Sequence, residues 1–391
     1  MSHINIPFSK FTDSNILITG STGFVGYRLT ELLSNNTNSN IFCLVRSFGN
    51  ATKLSRLPVK IIKGNILNPD DLKSVFKEID YVFHCAYGNS GDENNQISTN
   101  VNGTDLVCKY ALKNNIKRLV FLSTISVYEY SNDEWITEKS KKTSSKESYS
   151  SSKLAAEKII NNYINLDNLP AVILQPTAIY GPWAPSYVMK TFKKLKNSTI
   201  PLIEDGRGIC NAVYIDDLIF AMLLSATNDK AIGETYIVNG DDYITWKKYY
   251  SFFDEILGRS TFKIISNKEL KNHLYPKKPS FFLTVLKSMK PNISFLKSEL
   301  KNHAFINYLY SKVSLKNKIR FTNIFLNKNK IINKKNQYPL MIINNDYVLF
   351  HKQISKASIV KIKRDLNYSP IYSFEDGFNE IKKWYLWFYN K

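Results

Sequence analysis

Between residues 15 and 178, short β-branched runs alternate with amphipathic stretches, a pattern that few folds can accommodate. NILIT, IFCLV, VKIIKG, YVFHCA, RLVFLST and PAVILQ read as strands covered on both faces, because apolar residues occupy both alternating sets of positions. FVGYRLTELLS, DDLKSVFKE, TDLVCKYALKNN and SSKLAAEKIINNY carry apolar residues at helical spacing. The alternation predicts the α/β class, as a doubly wound parallel sheet with helices on both faces. After Pro176 the pattern loosens into turns at YGPWAP and EDGRG and one more strand-like run, NAVYIDDL. The stretch SKASIVKIKRDLNYSPIYSFEDGFNEIKKWYLWF reads as helix, turn, helix, with Asn367 placed to end the first helix in a left-handed conformation.

The 391 residues, 43% of them apolar, can bury a large core. No apolar run approaches the roughly 18 residues that a membrane crossing requires. MSHINIPFSKFTDSN lacks the apolar centre of a secretory signal. Cys43, Cys85, Cys108 and Cys210 show no CxxC or zinc-like spacing, so no metal is expected and a reducing, cytoplasmic setting is. The formal charge of +20 raises nucleic acid as a partner. Lys, Asn and Ile are abundant throughout, however, and no helix-turn-helix, zinc-finger or RNP-like pattern occurs, so nucleic acid is not expected. Basic residues concentrate over 266–345, read as a basic, partly helical insertion. Three readings of it stay open: a peripheral contact with an anionic membrane surface, a cover over an anionic substrate, and a solvated insert.

In NILITGSTGFVG a buried strand runs into Gly20, Gly23 and Gly26 and then into a helix. Glycines let the backbone approach phosphates, and free N–H groups at the helix start receive negative charge, which is the physics of a dinucleotide pyrophosphate site. A second motif is the spacing Tyr149-x-x-x-Lys153 in ESYSSSKLAAEK, which recurs at Tyr243/Lys247 and Tyr308/Lys312. Only the first follows a buried strand ending in hydroxyl residues and opens a helix with small residues on one face.

Together with NVNGT, FLSTISVY and IYGP, these motifs make the chain resemble the extended branch of the short-chain dehydrogenase/reductase family, in its epimerase/dehydratase-like and 3β-hydroxysteroid dehydrogenase-like forms. The resemblance runs from Asn15 to about Ile265 and again from about Lys356 to Trp384. It implies a Rossmann dinucleotide-binding part over 13–178, with 210–240 returning to it. A substrate-binding part then covers 179–209 and 241–391, including the basic insertion. It also implies a homodimer paired through the helices near Thr104–Asn114 and Tyr149–Tyr163, where Leu106, Tyr110, Ala156, Ile159 and Ile160 are apolar.

The resemblance further makes Tyr149 the acid/base and Lys153 a ligand of the nicotinamide ribose that lowers the tyrosine's pKa. Thr124 becomes the hydroxyl that holds the reacting oxygen, and Asn100 an asparagine near the nicotinamide end. A tyrosine near pKa 10 must fall about three units, or about 4 kcal/mol, to work at neutral pH. An ammonium at roughly 4 Å contributes on the order of 4 kcal/mol at an effective dielectric near 20. The cofactor is expected on Gly20, Thr22, Gly23, Phe24, Val25 and Gly26, on Asn65 and Ile66, on Ala86 and Tyr87, on Ser123, Tyr149 and Lys153, and on Pro176 and Thr177. Val45 and Arg46 follow the second strand where NAD-preferring relatives carry an acid. The forked donors of Arg46 suit a 2′-phosphate, so NADP(H) is the expected cofactor and NAD(H) the second choice.

The substrate is expected against Tyr87, Thr124, Tyr128, Ala178, Trp183 and Arg207. Ile125 and Ser126 stand where the family's 4,6-dehydratases carry Asp-Glu, which argues against water elimination. Ala178, Gln175 and Cys210 stand where nucleotide-sugar enzymes often have Asn, Arg and Arg. The expected activity is therefore NAD(P)-dependent interconversion of a secondary alcohol and a ketone on a non-nucleotide small molecule. The alternatives are a nucleotide-sugar epimerase or reductase of a polysaccharide or natural-product pathway, and a non-catalytic nucleotide-binding scaffold.

Overall fold

The computed structural model describes residues 6–88, 93–130, 133–143, 148–274 and 338–389. Most of the expected basic insertion, and with it Tyr308/Lys312, lies outside the described residues. The architecture rests on a seven-stranded sheet. Its strands are β1 (Asn15–Thr19), β2 (Asn40–Val45), β3 (Lys60–Lys63), β4 (Tyr81–His84), β5 (Arg118–Leu122), and the later segments Ala171–Pro176 and Thr235–Val238. From one edge the order is Thr235–Val238, Ala171–Pro176, β5, β4, β1, β2, β3, and every pairing is parallel.

Alternate strand residues enter two cores. Ile16, Ile18, Val120 and Val172 pack into one, with α1 (Phe24–Asn36) and the helix Ile215–Thr227. Leu17, Leu119, Phe121 and Ile173 face the other, with α2 (Pro69–Val75), α3 (Glu93–Lys113) and α4 (Ser148–Asp167). This two-sided burial is why the strands lack polar alternation. Local signals set the helix starts: Asn68 accepts the Asp70 N–H at 2.9 Å, Pro69 follows at the first helical position, and Asp70 and Asp71 meet the positive end of α2.

Beyond Pro176 the chain forms short pairs rather than a second large sheet. Ala178–Tyr180 lies beside Ala212–Tyr214, Ile200–Leu202 beside Phe262–Ile264, and Ile209–Cys210 beside Ile244–Thr245. Asn367 ends the helix Val360–Leu366 in the left-handed region, at φ 54°. Ala156 and Ile160, expected at a dimer seam, are instead fully buried in the chain's own core, while Leu106 and Tyr110 pack half-buried against it. Their side of α4 is occupied by the sheet. Among the described residues no helix is long and apolar enough to cross a membrane.

Two carboxylates fasten the final helix, Phe374–Tyr389, to this body. Asp217 accepts the Ile371 N–H at 2.6 Å, and Asp242 accepts the Phe374 N–H at 2.6 Å. Burial raises the Asp217 carboxyl to about 7, opposed by the Ile371 and Tyr372 N–H bonds and assisted by Asp216 and Asp241. A carboxyl raised on folding contributes stability that is complete below its unfolded pKa and lost as pH rises through the folded one. Asp217→Asn should therefore gain thermal stability relative to the wild type as pH rises from about 4 through about 7, by at most on the order of 4 kcal/mol. Paired melting curves across that range test it.

Candidate active site

The strand order reverses between β1 and β4, and the carboxyl ends of the strands there open into a cleft of about 1090 Å³. Its floor is a close backbone contact. Gly20 has φ +72°, and a Cβ on it would lie 2.6 Å from the Ala86 nitrogen. A Cβ on Gly26 would strike the Gly20 carbonyl. Gly23 begins α1 without a side-chain cap, so the first N–H groups of that helix face the cleft. Every expected cofactor residue lines this one cleft, from Gly20 through Thr22, Gly23, Phe24, Val25 and Gly26 to Arg46, Asn65, Ile66, Ala86, Tyr87, Ser123, Tyr149, Lys153, Pro176 and Thr177. The glycine cradle, the helix start and the length of the cleft fit an extended dinucleotide.

Thr124, Tyr149 and Lys153 come together from two elements. Thr124 follows β5 and caps the turn Ile125–Val127, accepting the Ser126 N–H at 3.2 Å. Tyr149 lies in the first turn of α4 and lines the cleft together with Thr124. Lys153, 4% exposed, lies one turn further along and donates to the Leu122 carbonyl at 2.8 Å. Its ammonium also sits 4.9 Å from the Phe121 ring centre and 5.5 Å from that of Tyr87.

The expected lowering of Tyr149 by Lys153 is absent from this arrangement. Burial raises the Tyr149 hydroxyl and the Thr124 hydrogen bond pulls it back, while the ammonium is turned toward Leu122. Burial lowers Lys153 itself to about 8, opposed by Cys85 and Glu157. Tyr87 packs edge-on against Tyr149 with centroids 5.1 Å apart.

Five expected site residues lie off the cleft. Asn100 is buried and already committed, accepting the Gly88 N–H at 2.9 Å and donating to Ser152 Oγ at 3.0 Å. Tyr128 turns inward, donating to Gln175 Oε1 at 2.6 Å beneath the strand ends. Ala178 is a core residue. Trp183 packs tilted against Trp384 and edge-on against Phe388 of the final helix. Arg207 is exposed and donates to the Glu204 carbonyl within its own turn. Cys210 is also fully buried, so its position offers no group to the cleft. Tyr243 is spent elsewhere too, donating to the Ala357 carbonyl.

Residues unnoticed in the sequence close the far end. Pro185, Ser186 and Tyr187 line it from a π-turn, with Lys190 at the start of the next helix. The Tyr249 hydroxyl donates to the Tyr187 carbonyl and holds that turn. This segment lies in irregular sequence, where only Pro185 marked a helical start. Glu157, one turn after Lys153, is buried and accepts from Ser123, Gln175 and Lys142.

Fold and site together define a Rossmann enzyme of the extended short-chain dehydrogenase/reductase type. A family model described as the NAD dependent epimerase/dehydratase family matches residues 16–239, and the chain belongs to that family. It is 29% identical over 253 residues to a 2-alkyl-3-oxoalkanoate reductase of Shewanella oneidensis, covering 60% of this chain and 64% of the relative. It is 29% identical over 255 residues to a dTDP-D-glucose 4,6-dehydratase of Dictyostelium discoideum, covering 58% of each. The chain thus spans about three-fifths of the length of these relatives. Its fold matches that of a UDP-glucuronic acid 4-epimerase from Bacillus cereus solved in complex with NAD, with a TM-score of 0.67, 19% identity and coverage of 96% of this chain and 99% of that one.

Gly20→Ala should weaken NADH and NADPH binding by about tenfold or more, since the added methyl must push β4's end out of the cleft floor. Cofactor fluorescence titration on folded protein measures this. Wild-type affinity would show that the glycine floor does not carry the cofactor.

Proposed function

We propose that the protein is an NAD(P)-dependent oxidoreductase that interconverts a ketone and a secondary alcohol on a non-nucleotide small molecule. The observation that carries the reading is the convergence of Thr124, Tyr149 and Lys153 at the end of a glycine-floored cleft. A bound nicotinamide cofactor supplies the hydride donor or acceptor, and the chain's own residues handle the proton and the geometry. Tyr149, protonated at neutral pH like any tyrosine whose pKa is not lowered, is suited to hand its proton to a ketone oxygen, with the Thr124 hydroxyl orienting that oxygen. Lys153 would hold the ribose, and its ammonium would offset the phenolate charge left on Tyr149. Reduction is the direction that this protonation state favours.

The substrate end supports an apolar ketone carrying a single acidic group. Tyr87, Tyr149 and Tyr187 supply aromatic surface, and Lys190 supplies a cation beside Tyr187 in addition to Lys153. A diphosphate asks for more, and the Ala178 and Cys210 positions give it nothing. Lys190 is also what favours the second reading, a nucleotide-sugar epimerase or reductase. Turnover of a panel of β-keto acids and secondary alcohols, followed by nicotinamide absorbance, decides between them when set beside thermal shifts with UDP- and dTDP-sugars. A saturable shift with one nucleotide sugar and no net cofactor consumption would overturn the leading reading.

NADP(H) is the proposed cofactor, because Val45, Arg46 and Asn50 line the ribose end of the cleft with no acid among them. Wild-type protein should prefer NADPH to NADH, and Arg46→Ala should lose about tenfold of its NADPH affinity while NADH binding changes little. Equal wild-type affinities would refute this preference. Tyr149→Phe should lower the chemical rate at least about a hundredfold with cofactor affinity retained, whereas Lys153→Met should lower both.

A further inference from the structure

Consecutive residues at the end of β5 are tied to consecutive turns of α4. The Lys153 ammonium donates to the Leu122 carbonyl at 2.8 Å, and the Ser123 hydroxyl donates to Glu157 Oε1 at 2.6 Å. Lys153 and Glu157 are four residues apart, so they share a face of α4. The same Glu157 oxygen accepts from Gln175 Nε2 at 2.7 Å, at the end of the neighbouring strand Ala171–Pro176. The other oxygen takes the Lys142 ammonium at 3.2 Å, and Gln175 in turn accepts from Tyr128. Glu157 and Gln175 are buried and neither lines the cleft. A carboxylate there is retained only because each oxygen is matched by donors.

We infer that Glu157 is a positioning residue: it clamps the ends of two adjacent strands to the helix that carries Tyr149 and Lys153, and so sets the spacing of Thr124 from Tyr149 and of Ser123 from Lys153. The inference rests on the reading of the cleft as a dinucleotide site. The Ser123 backbone is held in the sheet by its N–H on the Leu174 carbonyl at 2.7 Å, and the Glu157 contact adds a second tie from this strand end to α4, one turn beyond Lys153. Gln at 157 would keep the clamp, because its carbonyl oxygen accepts from Ser123 and Gln175 while only the partly exposed Lys142 loses its partner.

The test is NADPH titration by cofactor fluorescence on folded wild type, Glu157→Gln and Glu157→Ala, with melting curves for each. Glu157→Ala should bind about tenfold more weakly at temperatures where it is folded, and Glu157→Gln should recover to within about threefold of wild type, as expected from the two hydrogen bonds that Gln restores. A merely structural role would lower the melting temperature of Glu157→Ala and leave the affinity of the folded protein unchanged, which would overturn the inference. Equal defects in the Gln and Ala variants would overturn it as well. Should Glu157→Ala not fold, Gln175→Leu decides, because Gln175 donates to Glu157 without lining the cleft: a loss of a few-fold supports the clamp, and wild-type affinity refutes it. If the wild type binds neither NADPH nor NADH, it is the dinucleotide reading that fails. If it binds and Glu157→Ala binds equally well, only the clamp fails.

Discussion

The cleft depends on the approach of two parallel strand ends. Gly20 leaves β1 at φ +72° directly against the backbone of Cys85 and Ala86 after β4, with no room for a side chain between them. Below it, His84 bridges Thr19 at 2.6 Å and Thr104 at 3.1 Å, tying β1, β4 and α3 at one point. Burial and the nearby Lys153 charge lower His84 to about 3, so the bridge is a neutral ring over the working pH range. A rigid, uncharged floor allows α1 to start with its N–H groups open. The same floor fixes where β5 and α4 must meet.

Above this floor the charged groups are few and closely matched. Lys153 is lowered from 10.5 to about 8, which marks a residual burial penalty on the order of 3 kcal/mol after its partners have acted. Cys85 and the field of Glu157 oppose that lowering, and the ammonium rests on the Leu122 carbonyl between the rings of Phe121 and Tyr87. An ammonium poised near 8 can change charge with modest perturbation, whereas Tyr149 is held protonated.

How much of this was legible follows from what each pattern encodes. Strands covered on both faces, such as Ile16 to Ile18 with alternate residues in two cores, announce themselves by apolar runs. Glycines at fixed offsets and the helical spacing of Tyr149 and Lys153 state their geometry directly. Tyr128, Trp183 and Arg207 lie off the cleft: a position beside a motif does not say which way the side chain points. Tyr128 has the deeper reason: the strand-end Gln175 needed a buried donor. Glu157 and Gln175 were opaque for a related cause, since an acid on a helix and an amide after an apolar strand read as solvated until the tertiary fold joins them.

The two ends of the cleft differ in how they are built, and that difference bears on function. The cofactor end is made of strand termini and backbone, held by the sheet itself, so its chemistry follows from the fold. The substrate end is made of side chains from the π-turn Pro185–Met189, which the sheet does not hold. It is fixed instead by the Tyr249 hydroxyl on the Tyr187 carbonyl and by Val188 in the aromatic core that includes Phe192 and Phe253. Side chains at such a turn can change without disturbing the strands, so on the proposed reading Tyr187 and Lys190 select the substrate more than the motifs that define the family do. On the proposed reading, the Lys190 ammonium beside the phenol rings of Tyr87, Tyr149 and Tyr187 suits a carboxylate on an apolar chain better than a diphosphate, with the ketone at Thr124 and Tyr149.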